Sequence, residues 1–237
     1  MERLDKIIAN RGVASRREVR ELVRQGRVLV DGVPAAAPDM KVAAETAAIV
    51  VDGVAVSGER FLYLLLHKPA GVLTATEDRR QPTVLELVPE ACRRRGLAPV
   101  GRLDKDTEGL LLLTDDGELT HRLLSPKYHV DKVYYARVAG TPDEADAAAF
   151  AAGLVLDDGL RCLPAKLEPL GDGECLVTLR EGKFHQVKRM LASRGKPVQY
   201  LKRLAMGPLR LEPSLPVGSC RLLTAEEVAE LRNVCSL

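Results

Sequence analysis

The chain has 237 residues, of which 46% are hydrophobic and 29% charged, and its formal net charge at pH 7 is +2. These values are typical of a folded soluble protein, and the length allows one large domain or, as we predict, two unequal ones. No apolar run approaches the roughly 20 residues of a membrane-spanning helix, and the N-terminal residues lack the apolar core of a signal peptide. We therefore expect a cytoplasmic protein without a membrane partner.

Residues that commonly bind metals or cofactors are scattered along the chain. The cysteines form no Cys-x-x-Cys pair, and the phosphate-binding glycine loops are missing. The sequence thus predicts no metal, no cofactor and no disulfide framework. The cysteines are Cys92, Cys162, Cys175, Cys220 and Cys235.

Two short helices and a strand are predicted at the front of the chain. Apolar residues recur at helical spacing from Leu4, and Gly12 ends the first helix. Ser15 and Glu18 form a Ser-x-x-Glu capping box at the start of the second helix. The segment RVLVDG, residues 27–32, indicates a strand that enters an Asp-Gly turn.

Arginines on or beside these helices are candidate RNA ligands. Guanidinium groups suit phosphate oxygens, which favours a surface that contacts an RNA backbone. The alternative is a solvated helix face on which Glu18 and Glu21 neutralise the arginines, and composition alone does not separate the two. The candidates are Arg3, Arg16, Arg17, Arg20 and Arg24.

The segment RLDKIIANRGVASRREVRELVRQGRVLVDG, residues 3–32, resembles the ribosomal protein S-four type of RNA-binding domain. The order of RLDK, SR and the G-x-V-x-V-D-G turn carries this resemblance, which covers residues 1–58. It implies that the front helices and strand bind structured RNA, and it decides between the two interpretations of the arginines. We place the domain boundary at Ser57-Gly58, so that residues 59–237 form a second, larger domain.

The second domain opens with FLYLLLHKPAGV, residues 61–72, which predicts a long apolar strand. Proline cannot donate to a β-ladder, so the strand should stop at Pro69. Lys68 would then stand at the end of the strand, where it either meets a phosphate or faces water.

The segment GRLDKDTEGLLLLTDDG, residues 101–117, places charged residues directly before an apolar run. The run Leu110 to Leu113 is short and continuous, as in a strand buried on both faces. The residues before it then form a loop fixed to the core, and loops on a rigid scaffold commonly hold reacting groups.

Asp104 and Asp106 are the candidate reacting groups of this loop. Arg102 would keep a nearby carboxylate ionised at neutral pH. An ionised aspartate can act as a nucleophile or a general base, although a loop aspartate considered alone is more often a turn or cap residue.

Charge is distributed unevenly in the second half of the chain. Between Arg180 and Arg210, nine basic residues accompany a single acid, Glu181, whereas acids dominate from Asp143 to Glu174. Clustered bases attract an RNA backbone, so we interpret the basic stretch as a surface that grips RNA.

A helix is predicted within REGKFHQVKRMLASRG, residues 180–195. His185 and Gln186 should stand near its start. Lys188 and Arg189 should lie off its buried stripe, where either could pair with a loop carboxylate.

Four motifs in this order are similar to those of the pseudouridine synthases, specifically the small-ribosomal-subunit type known as the RsuA family. They are LLHKPAGVLTAT with QPTVLELV, GRLDKDTEGLLLLTDDG, SPKYHVDKVYYARV and EGKFHQVKRM. The resemblance covers essentially the whole chain. It implies an α+β fold in which the larger domain has a mainly antiparallel, mixed sheet flanked by helices and crossed by a cleft. Turn signals at Asp115-Asp116-Gly117 and Asp157-Asp158-Gly159 agree with antiparallel hairpins.

The resemblance also implies roles for single residues. Asp104 matches the catalytic aspartate, and Tyr134 matches the tyrosine that stacks on the flipped base, with Tyr135 as the alternative register. The basic partner of the aspartate falls on Lys188, with Arg189 as the alternative.

Other residues are implied to bind the substrate. Arg102 would enter the RNA where the base leaves its stack. His185 is expected to contact RNA or support the site, because the reaction needs no histidine if an aspartate acts. The remaining substrate-binding candidates are Lys68, Gln186 and Arg189.

The implied reaction converts a specific uridine of ribosomal RNA to pseudouridine, most plausibly in the small subunit (16S), by a monomeric enzyme without a cofactor. Large-subunit ribosomal RNA is the alternative target. A non-catalytic RNA-binding or ribosome assembly protein would explain the basic residues but not the Asp104 loop. A carboxylate glycosidase is disfavoured because the chain has no tryptophan and few aromatic residues to line a sugar cleft.

Overall fold

The computed structural model describes residues 1–44, 46–56, 61–93 and 96–237, and the chain forms two compact units. The first unit comprises Met1–Leu62 with Glu90–Leu97, and the second comprises Tyr63–Pro89 with Ala98–Leu237. The boundary predicted at Ser57-Gly58 lies outside the described residues. Within those residues, no helix is long and apolar enough to span a bilayer.

The first unit contains the two predicted helices and a set of short strands. Its elements are β1 (Glu2–Arg3), α1 (Leu4–Asn10), α2 (Arg16–Arg24), β2 (Val28–Val30), β3 (Val33–Pro34), β4 (Lys41–Val42), β5 (Ile49–Val51) and β6 (Val54–Ala55). Strand β1 pairs with β4, and the other four strands form a sheet in the order β3-β2-β5-β6. The apolar sides of both helices and of β2 and β5 share one core.

Local signals set the boundaries of α2 and β2 as predicted. The backbone N–H of Glu18 donates to the Ser15 hydroxyl at 3.3 Å, and the Ser15 N–H donates to the Glu18 carboxylate at 2.6 Å. This capping box satisfies N–H groups that the first turn of a helix leaves free. Asp31 and Gly32 both have positive φ, at 53° and 81°, which forms the predicted tight turn after β2.

The second unit is built around one large sheet. Its strands are β7 (Tyr63–Lys68), β8 (Ala98–Pro99), β9 (Glu108–Thr114), β10 (Lys132–Val138), β11 (Lys166–Gly171), β12 (Glu174–Leu179), β13 (Val198–Met206), β14 (Leu209–Arg210) and β15 (Cys220–Leu222). Its α-helices are α3 (Gly117–Leu124), α4 (Glu144–Ala152), α5 (Gln186–Ser193) and α6 (Ala225–Val234). Short 3₁₀ turns cover Val84–Leu87, Glu90–Cys92 and Pro126–Tyr128, the second of which belongs to the first unit.

The strands of this sheet follow the order β11-β12-β10-β13-β9-β7-β15, with β14 beside β13 and β8 beside β9. Among the described residues, β13 with β9 is the one parallel pair and the other pairs are antiparallel. The predicted α+β class, with a mainly antiparallel mixed sheet and flanking helices, is therefore confirmed. The central strand β9 carries Leu110 to Leu113, all at 0% exposure, as predicted for a strand buried on both faces.

The hairpin predicted at Asp115-Asp116-Gly117 is wrong. Asp116 is the N-cap of α3, and its carboxylate accepts from the backbone N–H of Leu119 at 3.0 Å. The dipeptide Asp-Gly occurs in hairpin turns, but an aspartate followed by glycine can equally be the N-cap of a helix. Here the burial of Leu119 favours the helix. At Asp157-Asp158-Gly159 the turn is present but closes only an isolated antiparallel bridge.

The parallel pair of β9 and β13 requires a glycine. Gly109 has φ +111° and lies opposite Arg203 in the register. A Cβ atom at this position would overlap the backbone of Arg203. The close approach keeps the start of β9, and with it the loop before it, tight against β13.

We expect Gly109→Ala to lower the free energy of unfolding by about 4 kcal/mol or more, because both the positive φ and the backbone overlap oppose a side chain. Gly117→Ala is the matched control, since no atom lies within 4 Å of a Cβ there and its φ is not in the left-handed region. Chemical denaturation measures both variants. Equal stability of the two variants would show that β9 does not need this approach.

Candidate active site

The loop that carries Asp104 is held from below by a buried lysine. The ammonium of Lys68 donates to the carbonyl oxygens of Pro69 at 2.8 Å, Lys105 at 3.2 Å and Thr107 at 3.0 Å. The Lys68 residue has 0% exposure. The prediction that Lys68 contacts a phosphate or faces water is therefore wrong, because all three N–H groups are engaged inside the protein.

Other hydrogen bonds fix the upper part of the same loop. The Thr74 hydroxyl donates to the carbonyl of Leu103 at 2.7 Å and accepts from its N–H at 3.2 Å. The N–H of Gly71 donates to the carbonyl of Lys105 at 2.8 Å, and that of Thr107 donates to the carbonyl of Asp104 at 3.0 Å. The backbone on both sides of Asp104 is thus held in place.

Asp104 faces a basic residue of helix α5. Its carboxylate lies 3.3 Å from the Lys188 ammonium, which also binds Asp106 at 2.6 Å. The Asp104 side chain keeps 25% exposure, so it remains accessible from the cleft. Arg189, the alternative partner, pairs with Asp158 at 2.6 Å. The ion pair with Asp104 therefore falls on Lys188.

The charged groups around the loop change one another's pKa values. The hydrogen bond from Lys188 holds the pKa of Asp106 below its usual range. Burial lowers the pKa of Lys68 to about 8, while the carboxylates of Asp106, Asp104 and Glu108 oppose this shift. Lys68 is therefore still mainly charged at pH 7 and can serve as a threefold donor.

His185 approaches Asp104 from the start of α5. Its Nε2 atom lies 3.5 Å from the Asp104 carboxylate. His185 is the N-cap of α5 with φ +48°, an unusual conformation for a residue other than glycine. Its ring stacks on Phe184, with centroids 3.8 Å apart and planes 18° apart. Phe184 is 70% exposed beside the cleft. The sequence interpretation missed it, although an aromatic residue within a basic segment was the available signal.

The side-chain amide of Gln186 is hydrogen-bonded within the protein. Its amide nitrogen donates to the Glu181 carboxylate at 2.6 Å, and its amide oxygen accepts from the N–H of Lys183 at 2.9 Å. Gln186 is 4% exposed. These bonds close the turn that leads into α5. Gln186 also lines the cleft, and its role as a substrate ligand stays a prediction.

A cleft of about 570 Å³ lies above one face of the sheet, next to Asp104. This volume is in the range of sites that enclose a small ligand. Tyr134 of β10 lies on its floor and is 8% exposed. Tyr135 points to the opposite face, where it meets Tyr200 edge to face at 6.1 Å. Of the two tyrosines, only Tyr134 lines the cleft, and the exposed Arg102 lines it as well.

The basic stretch from Arg180 to Arg210 is largely neutralised in the fold. Acids pair with most of its basic residues, and all of these acids except Glu181 come from other parts of the second unit. The stretch therefore offers fewer free charges to RNA than its sequence indicates. The pairs are Arg180 with Asp131, Lys183 with Glu181, Arg189 with Asp158, and both Arg194 and Lys196 with Asp146.

The arginines of the first unit differ in their availability. Arg3 and Arg16 both bind the buried carboxylate of Asp5 at 3.0 Å, which holds the pKa of Asp5 down against its burial. Arg24 pairs with Glu21 at 2.7 Å. In the described part of the chain, the exposed Arg17 and Arg20 have no ion pair. Glu18 is committed to the capping box rather than to neutralising arginines.

Comparisons with known proteins agree with this arrangement. The family model described as RNA pseudouridylate synthase matches residues 62–193, and the model of the S4 domain matches residues 2–46. The chain belongs to the RNA pseudouridylate synthase family. It is an isomerase with an S4 domain in front of its synthase domain.

Several relatives match the synthase along almost their full length. An uncharacterized RNA pseudouridine synthase of Bacillus subtilis is 45% identical, covering 95% of this chain and 96% of the relative. The ribosomal small subunit pseudouridine synthase A of Pseudomonas aeruginosa is 40% identical, covering 97% and 100%. The ribosomal large subunit pseudouridine synthase B of B. subtilis is also 40% identical, covering 98% and 96%. A crystal structure of a pseudouridylate synthase matches with a TM-score of 0.68 and 35% identity, covering 98% of this chain and all of that chain.

Replacing Lys68 by methionine tests the support of the loop. We expect Lys68→Met to lower the free energy of unfolding by about 1–3 kcal/mol, because one buried and two partly buried carbonyls lose their donor. RNA affinity should change little while pseudouridine formation slows, since the Asp104 carboxylate is no longer held. Unfolding, binding and single-turnover measurements separate these effects.

The matched control is Lys166→Met, which removes an exposed lysine of β11 that pairs with Glu168. This variant should retain the stability and rate of the unmodified protein. If Lys68→Met did the same, the loop would not depend on the buried ammonium.

Proposed function

We propose that the synthase isomerises a specific uridine of ribosomal RNA, with the small-subunit RNA as its target and Asp104 as the reacting carboxylate. It would act as a monomer whose S4 domain brings structured RNA to the synthase domain. The observation that carries the proposal is the Asp104 carboxylate itself. It is accessible, paired with Lys188 and fixed by its loop at the edge of a cleft floored by Tyr134.

The geometry suits a nucleotide that has left its helix. Extruding a base costs a few kcal/mol of unstacking, and stacking on an aromatic ring returns about 1–3 kcal/mol. Tyr134 is the ring we assign to this contact. Arg102, exposed at the cleft, is assigned to the space that the base vacates. The stacked pair of Phe184 and His185 would contact RNA at the cleft edge.

The roles of the two loop aspartates differ. Asp104 would attack the sugar at C1′, assist proton removal from the sugar, or add to the uracil ring. In each route the bond from C1′ to N1 breaks, the base turns, and a bond from C1′ to C5 forms. C5 then loses a proton and N1 gains one, so the product is an isomer. The Asp106 side chain is 74% exposed and bonded to Lys188, which suits a residue that positions Lys188.

The choice of ribosomal RNA rests on the relatives and on sequence motifs. One relative is named for the small subunit and another, equally identical, for the large subunit. The segment SPKYHVDKVY and the front domain resemble the small-subunit type more closely, which supports that target. A non-catalytic RNA-binding protein would need no accessible carboxylate held in this manner.

The proposal is tested with transcripts of both ribosomal RNAs, in which pseudouridines are mapped after incubation with the protein. We expect one converted uridine in the small-subunit transcript. Asp104→Asn should bind that RNA normally and lose activity by about 10³-fold or more, as removal of a reacting group does. Asp106→Asn is the matched control and should retain activity to within about tenfold, because it only weakens the hold on Lys188.

Each outcome bears on a separate part of the proposal. Full activity of Asp104→Asn would contradict its role. Conversion confined to the large-subunit transcript would contradict the assigned target. A failure to convert either transcript, or assembled subunits of either kind, would contradict a ribosomal RNA substrate.

A further inference from the structure

Two basic side chains lie at the floor of the cleft instead of at its surface. Lys132 is 4% exposed and Arg203 is 2% exposed, yet both line the cleft. Lysine and arginine are almost never this deeply buried unless an acid pairs with them. We refer to Lys132 and Arg203 together as the cationic floor.

The sheet places the cationic floor directly beside Tyr134. Lys132 and Tyr134 are two residues apart on β10, so their side chains leave the same face. Arg203 of β13 is the register partner of Tyr134. The aromatic ring assigned to the extruded base therefore has one cation as a neighbour along its own strand and another on the adjacent strand.

Neither cation has a carboxylate partner within the described residues. The Lys132 ammonium donates to the carbonyl of Val130 at 3.2 Å. The Arg203 Nε donates to the carbonyl of Leu110 at 2.7 Å, while its Nη2 is buried and has no hydrogen-bond partner there. Asp131, next to Lys132 in the chain, is engaged by Arg180 at 2.8 Å.

Burying two uncompensated charges is unfavourable for the folded protein. Burial, and then the nearby charge of Arg203, lower the pKa of Lys132 to about 8, with Asp131 opposing the shift. A negatively charged or electron-rich group entering the cleft would compensate both cations. Such an arrangement is unfavourable when empty and favourable when a charge develops above it, which is the property of a preorganised electrostatic site.

We propose that Lys132 and Arg203 bind the carbonyl oxygens of the extruded uracil and stabilise its negative charge while the base is detached from the sugar. This inference rests on the proposed function of the same cleft. When the bond from C1′ to N1 breaks, its electron pair stays with the uracil and spreads over N1, O2 and O4. The charge disappears once C5 bonds to C1′, C5 releases its proton and N1 takes one up.

A phosphate of the RNA backbone is the competing ligand for the cationic floor. The neighbouring floor residues Leu179 and Leu201 are apolar and suit the faces of a base rather than a phosphate. The two ligands also differ in timing. A phosphate carries its charge before the reaction, so its loss would weaken binding, whereas the charge on uracil exists only as the reaction proceeds.

The test replaces each cation by methionine, an unbranched apolar residue that removes the charge and leaves a shorter side chain. We expect Arg203→Met and Lys132→Met to be at least as stable as the unmodified protein, since a buried unpaired charge is removed. RNA affinity should stay within about twofold, while the single-turnover rate falls by about 10²–10³-fold per cation. Arg203→Lys should recover most of the rate. Lys202→Met is the matched control, because Lys202 precedes Arg203 on the opposite face of β13 and is not part of the cleft lining.

A second measurement separates charge stabilisation from a merely structural role. The mapped uridine is replaced by 5-fluorouridine, whose fluorine makes the uracil a more stable anion. Consumption of 5-fluorouridine should therefore depend less on Arg203 than conversion of uridine does. Digestion of the RNA and chromatography of its nucleosides give both rates.

Several results would overturn this inference. One is a full single-turnover rate in both methionine variants. Another is weakened RNA binding with an unchanged rate, as expected if the cations bind a phosphate. The third is an equal loss of rate with uridine and with 5-fluorouridine. If Arg203→Met does not fold, Lys132→Met and Arg203→Lys carry the same test. An unmodified protein that converts no RNA would instead contradict the proposed function.

Discussion

The ammonium of Lys68 donates to three backbone carbonyls beneath the loop that carries Asp104, and these bonds hold that loop against the sheet. Lys68 ends β7, which pairs along its length with β9, the strand that follows the loop. The strand before the loop, β8, also pairs with β9, so both ends of the loop are joined to one sheet. Gly109 brings the start of β9 against β13. The floor of the cleft, to which β13 contributes, is therefore fixed to the same sheet as the loop.

The sheet and its loop hold a negatively charged group and two positively charged groups at different places in one cleft. At the edge, Asp104 lies against Lys188 and carries the negative charge that would meet the sugar. At the floor, Lys132 and Arg203 are buried, and no carboxylate among the described residues forms an ion pair with either. A nucleotide placed between them would have its sugar near the carboxylate and its base near the cations. Such polarity favours movement of electrons from the glycosidic bond toward the base, and it exists before RNA binds.

Local signals in the sequence predicted the parts of the site that depend on neighbouring residues. The apolar run of β9 predicted the loop before it, and the helical spacing after Arg180 placed Lys188 and Arg189 where either could pair with a loop carboxylate. The family resemblance favoured Lys188, which lies beside Asp104 in the fold. Features that depend on distant partners were not predictable in this manner. The sequence shows Lys68 and Gln186 as polar residues beside a motif, and only the fold shows that their hydrogen bonds are made internally.

Charge patterns were the least informative part of the sequence. Most basic residues of the stretch that begins at Arg180 form ion pairs with acids from other elements. The excess of positive charge seen along the sequence is therefore largely neutralised in the folded protein. Arg203 belongs to the same stretch but lies buried with no ion pair in the part of the chain that the structure describes, and no local pattern distinguishes it from its neighbours. Pairing between strands distant in sequence decides which of these bases are free.

The central claim is that the cleft holds a single extruded nucleotide between Asp104 and the cationic floor. A crystal structure of the inactive Asp104→Asn variant, bound to an RNA fragment that contains the converted uridine, tests it most directly. We expect the uracil to stack on Tyr134 with its carbonyl oxygens toward Lys132 and Arg203, and C1′ to face residue 104. A uridine that stays stacked in the RNA, or a phosphate in contact with the cationic floor, would contradict it.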